Sequence, residues 1–191
     1  MLGYDAPRWH AVLNDLPAAL LVVAVLFDLA AAATKRESLV WAGIWTLWAG
    51  VLGGWAAVVA GELAEKAIDH GEAIHAIMEK HQTMAIMTMS LFTIVLIWKM
   101  ARRFQMPKQE LALTRALSVV GLAGLVWTGV LGGRLVFEHA AGIPTHTLQT
   151  EIQDRAAGHD HEALEAREHT GADTTKTAPH VDPPGTPPHK H

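Results

Sequence analysis

The chain contains no cysteine, which excludes disulfides, thiolate zinc sites and iron–sulfur ligation together. Basic residues are few, 15 Lys and Arg in 191, and they are dispersed rather than gathered into the basic stripe that nucleic-acid binding needs. No phosphate-cradling Gly loop, nucleophile elbow or zinc-protease signature is present, so no self-contained hydrolytic or nucleotide chemistry is indicated. The N-terminus lacks the basic, apolar and small-residue order of a signal peptide. Residues 150–191 lack apolar runs. They hold four Lys/Arg against eight Asp/Glu and so account for the whole formal net charge of −4.

Long apolar segments dominate the remainder. A membrane-spanning helix needs about 20 mostly apolar residues, and four segments qualify, near 16–34, 39–61, 82–99 and 111–137. The fold class expected is therefore an all-α membrane protein: a four-transmembrane-helix bundle over 1–149, built from two hairpin repeats, followed by a His-rich acidic disordered tail over 150–191. Within that tail a short helix is expected near Ala156–His169. Pro17 suits the first turn of helix one, where its missing N–H would have no partner anyway, and Asp15 would cap it there or orient a ligand histidine.

Lys35, Arg36, Lys99, Arg102, Arg103 and Lys108 cluster in the two hairpin links, with Arg115 just inside helix four. Acids dominate the opposite side. Excess Lys and Arg mark the cytoplasmic side, so both termini and the middle loop are expected outside, in a bacterial inner membrane. On that map all twelve histidines fall outside: His10, His70, His75, His81, His139, His146 and six in the tail. Asp28, toward the other end of helix one, is an intramembrane carboxylate and hence functional or paired. Pairing with Arg115 is the expected case, and a proton path the alternative.

Trp48-Ala49-Gly50-Val51-Leu52-Gly53-Gly54 returns as Trp127-Thr128-Gly129-Val130-Leu131-Gly132-Gly133. Read as equivalent helices of a duplicated hairpin, the two copies imply a pseudo-twofold axis along the membrane normal. Each contains Gly-x-x-x-Gly, which lets a backbone or a flat ligand approach closely. His139 follows Gly133 by six residues, about 9 Å along a helix, and the topology places His10, His81 and His139 at one interface. Histidine ligates haem iron and other metals. A b-type haem against Gly132 and Gly133, held by two of these three histidines, is the leading expectation, with Arg134 pairing a propionate or, more plainly, Glu138 one turn away.

The alternative is a non-haem divalent transition metal (copper, zinc or nickel) on His75, Glu72 and Glu79, fed by weak tail ligands such as His159 and His161. A solvated acidic face accounts for the same residues more simply. Met84, Met87 and Met89 offer soft ligands or bundle packing. A structural anchor is the third reading. The partners expected are the lipid bilayer and other redox subunits or a periplasmic cytochrome, with a homo-oligomer as a further arrangement; nucleic acid is excluded.

His10-Ala11-Val12-Leu13-Asn14-Asp15-Leu16-Pro17, followed by Asp28, resembles the opening of the bacterial membrane family catalogued as domain of unknown function 2231. Glu79-Lys80-His81 is similar to the start of its third helix, and Gly132 to Ile143 to its Gly-Gly-x-Leu-Val-Tyr-x-His-Gly-x-Gly-Val ending. Ala11, Phe137 and Ala140 stand where that pattern has Pro, Tyr and Gly. The resemblance covers about residues 8–144 and implies a four-helix membrane domain, sometimes beside cytochrome-type modules, with no activity attached.

Overall fold

A computed structural model describes residues 5–68, 71–102 and 105–157. Five helices follow in order: α1 (Ala6–Thr34), α2 (Glu37–Glu65), α3 (Glu72–Ala101), α4 (Lys108–Phe137) and α5 (Thr145–Ala157). The first four are long and apolar enough to cross a membrane. At 1.5 Å per residue each runs about 44 Å, well beyond a hydrocarbon core of about 30 Å. They therefore extend past the apolar segments that identify them, which is why most of the expected boundaries are widened, while the expected ends at 34 and 137 stand. α1 begins some ten residues earlier than its apolar run, because Asp5 caps it by accepting from the Arg8 N–H at 3.3 Å. Pro17 is consequently inside the helix, and Asp15, nearly three turns beyond Asp5, lies too far into the helix to be the cap.

α1 and α2 form one antiparallel hairpin through the Lys35–Arg36 link, and α3 and α4 form the second. Gly71, with extended backbone (φ −84°, ψ 171°), starts α3 and breaks the acidic run after α2. In the second hairpin Glu110 accepts from the Trp98 indole at 3.0 Å and from the Arg102 Nε at 2.8 Å, tying the two helices at the link end. The core between the hairpins is Leu21, Val25, Leu47, Val51, Met89, Phe92, Val95 and Leu96. The outward faces are equally apolar: Trp45 is 68 % exposed, Val126 66 % and Val120 60 %. A bundle apolar inside and out is solvated by lipid, so the protein is membrane-embedded.

Close packing within each hairpin depends on glycines. A Cβ at Gly50 would meet Leu21 carbons at 2.9 Å, and one at Gly121 would meet the Phe92 ring at 2.8 Å. Gly53 faces Pro17, and Gly124 faces Thr88. These pairings repeat at a spacing of 71 residues: Pro17 with Thr88, Leu21 with Phe92, Gly50 with Gly121, Gly53 with Gly124. The bundle is thus two superposable hairpins, as the repeat implied, but in a register different from the Trp-x-Gly-Val-Leu-Gly-Gly match. That match pairs Gly50 with Gly129, and Gly129, like Gly133, has no atom within 4 Å of a built Cβ. The seven-residue likeness joins stretches that do different things, and the structural equivalence is carried eight residues away from it.

The chain divides into two compact units, Met1–Ile143 and Pro144–His191. Within the second, the described helix is α5. The helix expected near Ala156–His169, together with His159 and His161, falls almost wholly outside the described residues.

Candidate functional site

The 71-residue equivalence maps His10 onto His81, and the structure brings these two together. Their ring centroids are 6.3 Å apart and their planes nearly perpendicular, at 87°. His10 comes from α1 and His81 from α3, the two helices that start at this end of the bundle.

Each imidazole is held in the same way by the other helix of its own hairpin. Nδ1 of His10 is 2.9 Å from the Ala57 carbonyl, and Nδ1 of His81 is 3.0 Å from the Thr128 carbonyl. A carbonyl only accepts, so Nδ1–H donates in both rings, and in a neutral imidazole held this way Nε2 is the nitrogen that carries the lone pair. Four residues beyond each carbonyl comes a glycine against which the ring rests. A Cβ at Gly61 would meet His10 Cε1 at 3.1 Å, and one at Gly132 would meet His81 Cε1 at 3.1 Å. Neither carbonyl was recognisable from the sequence, nor was Gly61. The signal that points to them is the shared spacing of His10/His81 and Gly61/Gly132.

Between the rings a cavity of about 50 Å³ runs inward, lined by Asn14, Pro17, Thr88 and Met89 besides the two histidines. Polar groups thus meet apolar walls, with the thioether of Met89 among them. Among the described residues no hydrogen bond reaches Nε2 of either ring, and both rings line this cavity.

The other expected site residues are placed as follows. His139 is half-buried just beyond the end of α4. No group of three His, Asp or Glu able to share one metal ion occurs among the described residues, so His139 does not complete a cluster with His10 and His81. Gly132 is occupied by the His81 ring itself, while Gly133 is open. Arg134 pairs with Glu138 at 3.0 Å, both about half exposed. Glu72, His75 and Glu79 share α3 without converging as a group of three; His75 is 3.7 Å from Glu65 across the turn. Met87 is 60 % exposed, and Met89 is buried.

At the opposite end, Asp28 is paired as expected with Arg115, Nε to Oδ1 3.3 Å, and also with Lys99, Nζ to Oδ2 2.7 Å. Asp28 and Lys99 are themselves 71 residues apart, so the duplicated position holds opposite charges in the two hairpins.

No curated protein and no solved structure matches the chain. A family match spans residues 8–145, which takes in both hairpins and the histidine pair, and the chain belongs to the membrane-protein family described as "Predicted membrane protein (DUF2231)".

Proposed function

We propose that this protein is a b-type haem-binding electron-transfer subunit of the bacterial inner membrane, in which His10 and His81 would hold the haem iron. The observation that carries the reading is the pair of imidazoles at 6.3 Å. One metal ion bonded to two imidazole nitrogens at about 2.0–2.1 Å holds the ring centroids about 6 Å apart. Anchoring both Nδ1–H groups on backbone carbonyls fixes tautomer and ring orientation, as the outer partners of metal-bound histidines do.

Donor count favours haem over a bare ion. A zinc site needs four ligands, whereas haem brings ring nitrogens of its own and would need only two histidines from the protein. When bound, the haem would supply one-electron transfer. The protein's part is to fix the ligands, exclude water and set the potential through axial identity and burial. The donor set fits the group, and the closed packing does not: 50 Å³ admits a water or two. Excess Lys and Arg in the links supports an orientation with those links in the cytoplasm and the histidine pair near the outer face, where a periplasmic cytochrome or other redox subunits would be its partners.

A second reading is a copper site, favoured by the small cavity and by Met89 in its wall, since soft thioethers select Cu(I). Visible spectra of the purified protein, supplied with haem and recorded oxidised and reduced, separate the two. Haem ligation gives a reducible Soret and alpha band that His10→Ala and His81→Ala each abolish and His139→Ala retains. A protein that takes up no haem and instead carries stoichiometric copper, lost in Met89→Leu, replaces the haem reading with the copper one. Absence of both overturns the site.

A further inference from the structure

The end of the bundle remote from the histidines holds a second cavity, of about 140 Å³, walled by Asp28, Lys99 and Arg115 together with Gly43, Ile44 and Leu111. All three charged side chains are largely shielded, at 12 %, 11 % and 22 % exposure. The haem reading does not use them.

Their charges do not balance. Both carboxylate oxygens of Asp28 are engaged, one by Lys99 and one by Arg115, so one anion faces two cations. Among the described residues no further acidic group lines the cavity. The guanidinium contacts Asp28 through Nε, and among the described residues its two terminal NH₂ groups and the remaining ammonium hydrogens of Lys99 meet no further carboxylate. An uncompensated positive charge inside a low-dielectric bundle is costly. Surplus donors and surplus charge point to the same remedy, an anion with several acceptor oxygens.

Depth narrows the class. Asp28 is six residues from the end of α1, and Arg115 seven from the start of α4, so both are about 10 Å inside the helix ends. With helices of about 44 Å across a core of about 30 Å, that is the level where acyl chains meet headgroups. Guanidinium groups bind phosphate oxygens through paired N–H donors, and basic pockets between transmembrane helices on the cytoplasmic side take up phosphate headgroups. The volume admits several waters or one such group.

We propose that Lys99 and Arg115 form a phosphate-binding site in this cavity, which receives either inorganic phosphate or the phosphate of an anionic lipid, and that Asp28 holds the two cations apart and limits their affinity. The carboxylate is a competitor as well as a brace, and this separates the proposal from an ordinary buried ion pair.

The test is thermal unfolding of the full-length protein in mild detergent, with inorganic phosphate, short-chain phosphatidylglycerol or short-chain phosphatidylcholine added in turn. A rise in Tm with phosphatidylglycerol alone assigns the site to a lipid, and a rise with inorganic phosphate assigns it to the free anion. The shift disappears in Arg115→Gln and, relative to the variant's own ligand-free Tm, grows in Asp28→Asn. The latter variant keeps the proposal falsifiable if Arg115→Gln fails to fold, because a purely structural carboxylate would give no gain. Equal shifts with phosphatidylcholine and phosphatidylglycerol, no shift with any addition, or a smaller shift in Asp28→Asn overturns it.

Discussion

At the scale of single residues, the glycines divide into those that make room for something and those that do not. Gly61 and Gly132 make room for imidazoles. An alanine at either would bring a methyl to 3.1 Å from Cε1 of His10 or His81, tighter than ordinary contact, so the ring must yield by a few tenths of an ångström. Each ring is tethered at Nδ1, and it yields by tilting about that hydrogen bond, which moves Nε2. Gly61→Ala and Gly132→Ala are therefore expected to leave the fold intact and shift the midpoint potential or the band positions of the haem-loaded protein. Gly133→Ala, with nothing within 4 Å, leaves both unchanged. Redox titration of the three variants checks this, and a shift in Gly133→Ala equal to that in Gly132→Ala would sink the idea that the ring, rather than the helix, senses the methyl.

At the scale of elements, the four spans were legible because lipid demands about 20 apolar residues in a row, and no tertiary effect overrides that demand. The ends were less so. Beyond the hydrocarbon the selection for apolar side chains ceases while the helix continues, so α1 reaches back to its Asp5 cap and α3 to Gly71 with no hydropathy to mark it. Helix register was hidden for a different reason. Several of the pairings that define it, Pro17 with Thr88, Leu21 with Phe92 and Asp28 with Lys99, join unlike residues. The identical ones, such as Gly50 with Gly121 and His10 with His81, are scattered singly, whereas the non-equivalent tryptophan stretches are alike over seven consecutive positions. Two helix exits show what local strain remained. Lys35 ends α1 at φ 57°, and Ala140 follows α4 at φ 52°, the left-handed region that costs an L-residue roughly 1–2 kcal/mol. Ala140 also stands where the family pattern has Gly, a departure readable in advance; Lys35 gives no such sign. Introducing Gly removes that cost, and part of the gain is offset because the unfolded chain then has more freedom to lose on folding. Lys35→Gly and Ala140→Gly should each stabilise by about 1 kcal/mol, measured as a higher unfolding midpoint in mild detergent. No gain in either would mean that these exits relax elsewhere in the membrane-bound protein.

At the scale of the whole molecule, duplication explains why one end carries like residues and the other unlike ones. Two hairpins inserted in the same direction bring each equivalent pair to one depth. His10 and His81 remained alike and face each other, whereas the other equivalent pair diverged into Asp28 and Lys99 and became an ion pair at 2.7 Å. The convergence of His10 and His81 could be anticipated from topology alone, since α1 and α3 both start at one end. That His139 would not join them depends on how α4 ends, which no spacing rule encodes. The functional assignment then turns on which end faces out, because a haem at the outer face and a phosphate site at the inner face require the same orientation. A chain without cysteine makes a clean background for measuring it. Ser38, at the start of α2, and Ala73, at the start of α3, are both exposed, and Cys is a small change at either. Treated with a membrane-impermeant maleimide, intact spheroplasts carrying Ala73→Cys should be labelled at once, and those carrying Ser38→Cys only after permeabilisation. The reverse pattern would place the basic links outside, remove the phosphate site from the cytoplasmic leaflet and turn the histidine pair toward cytoplasmic electron donors instead.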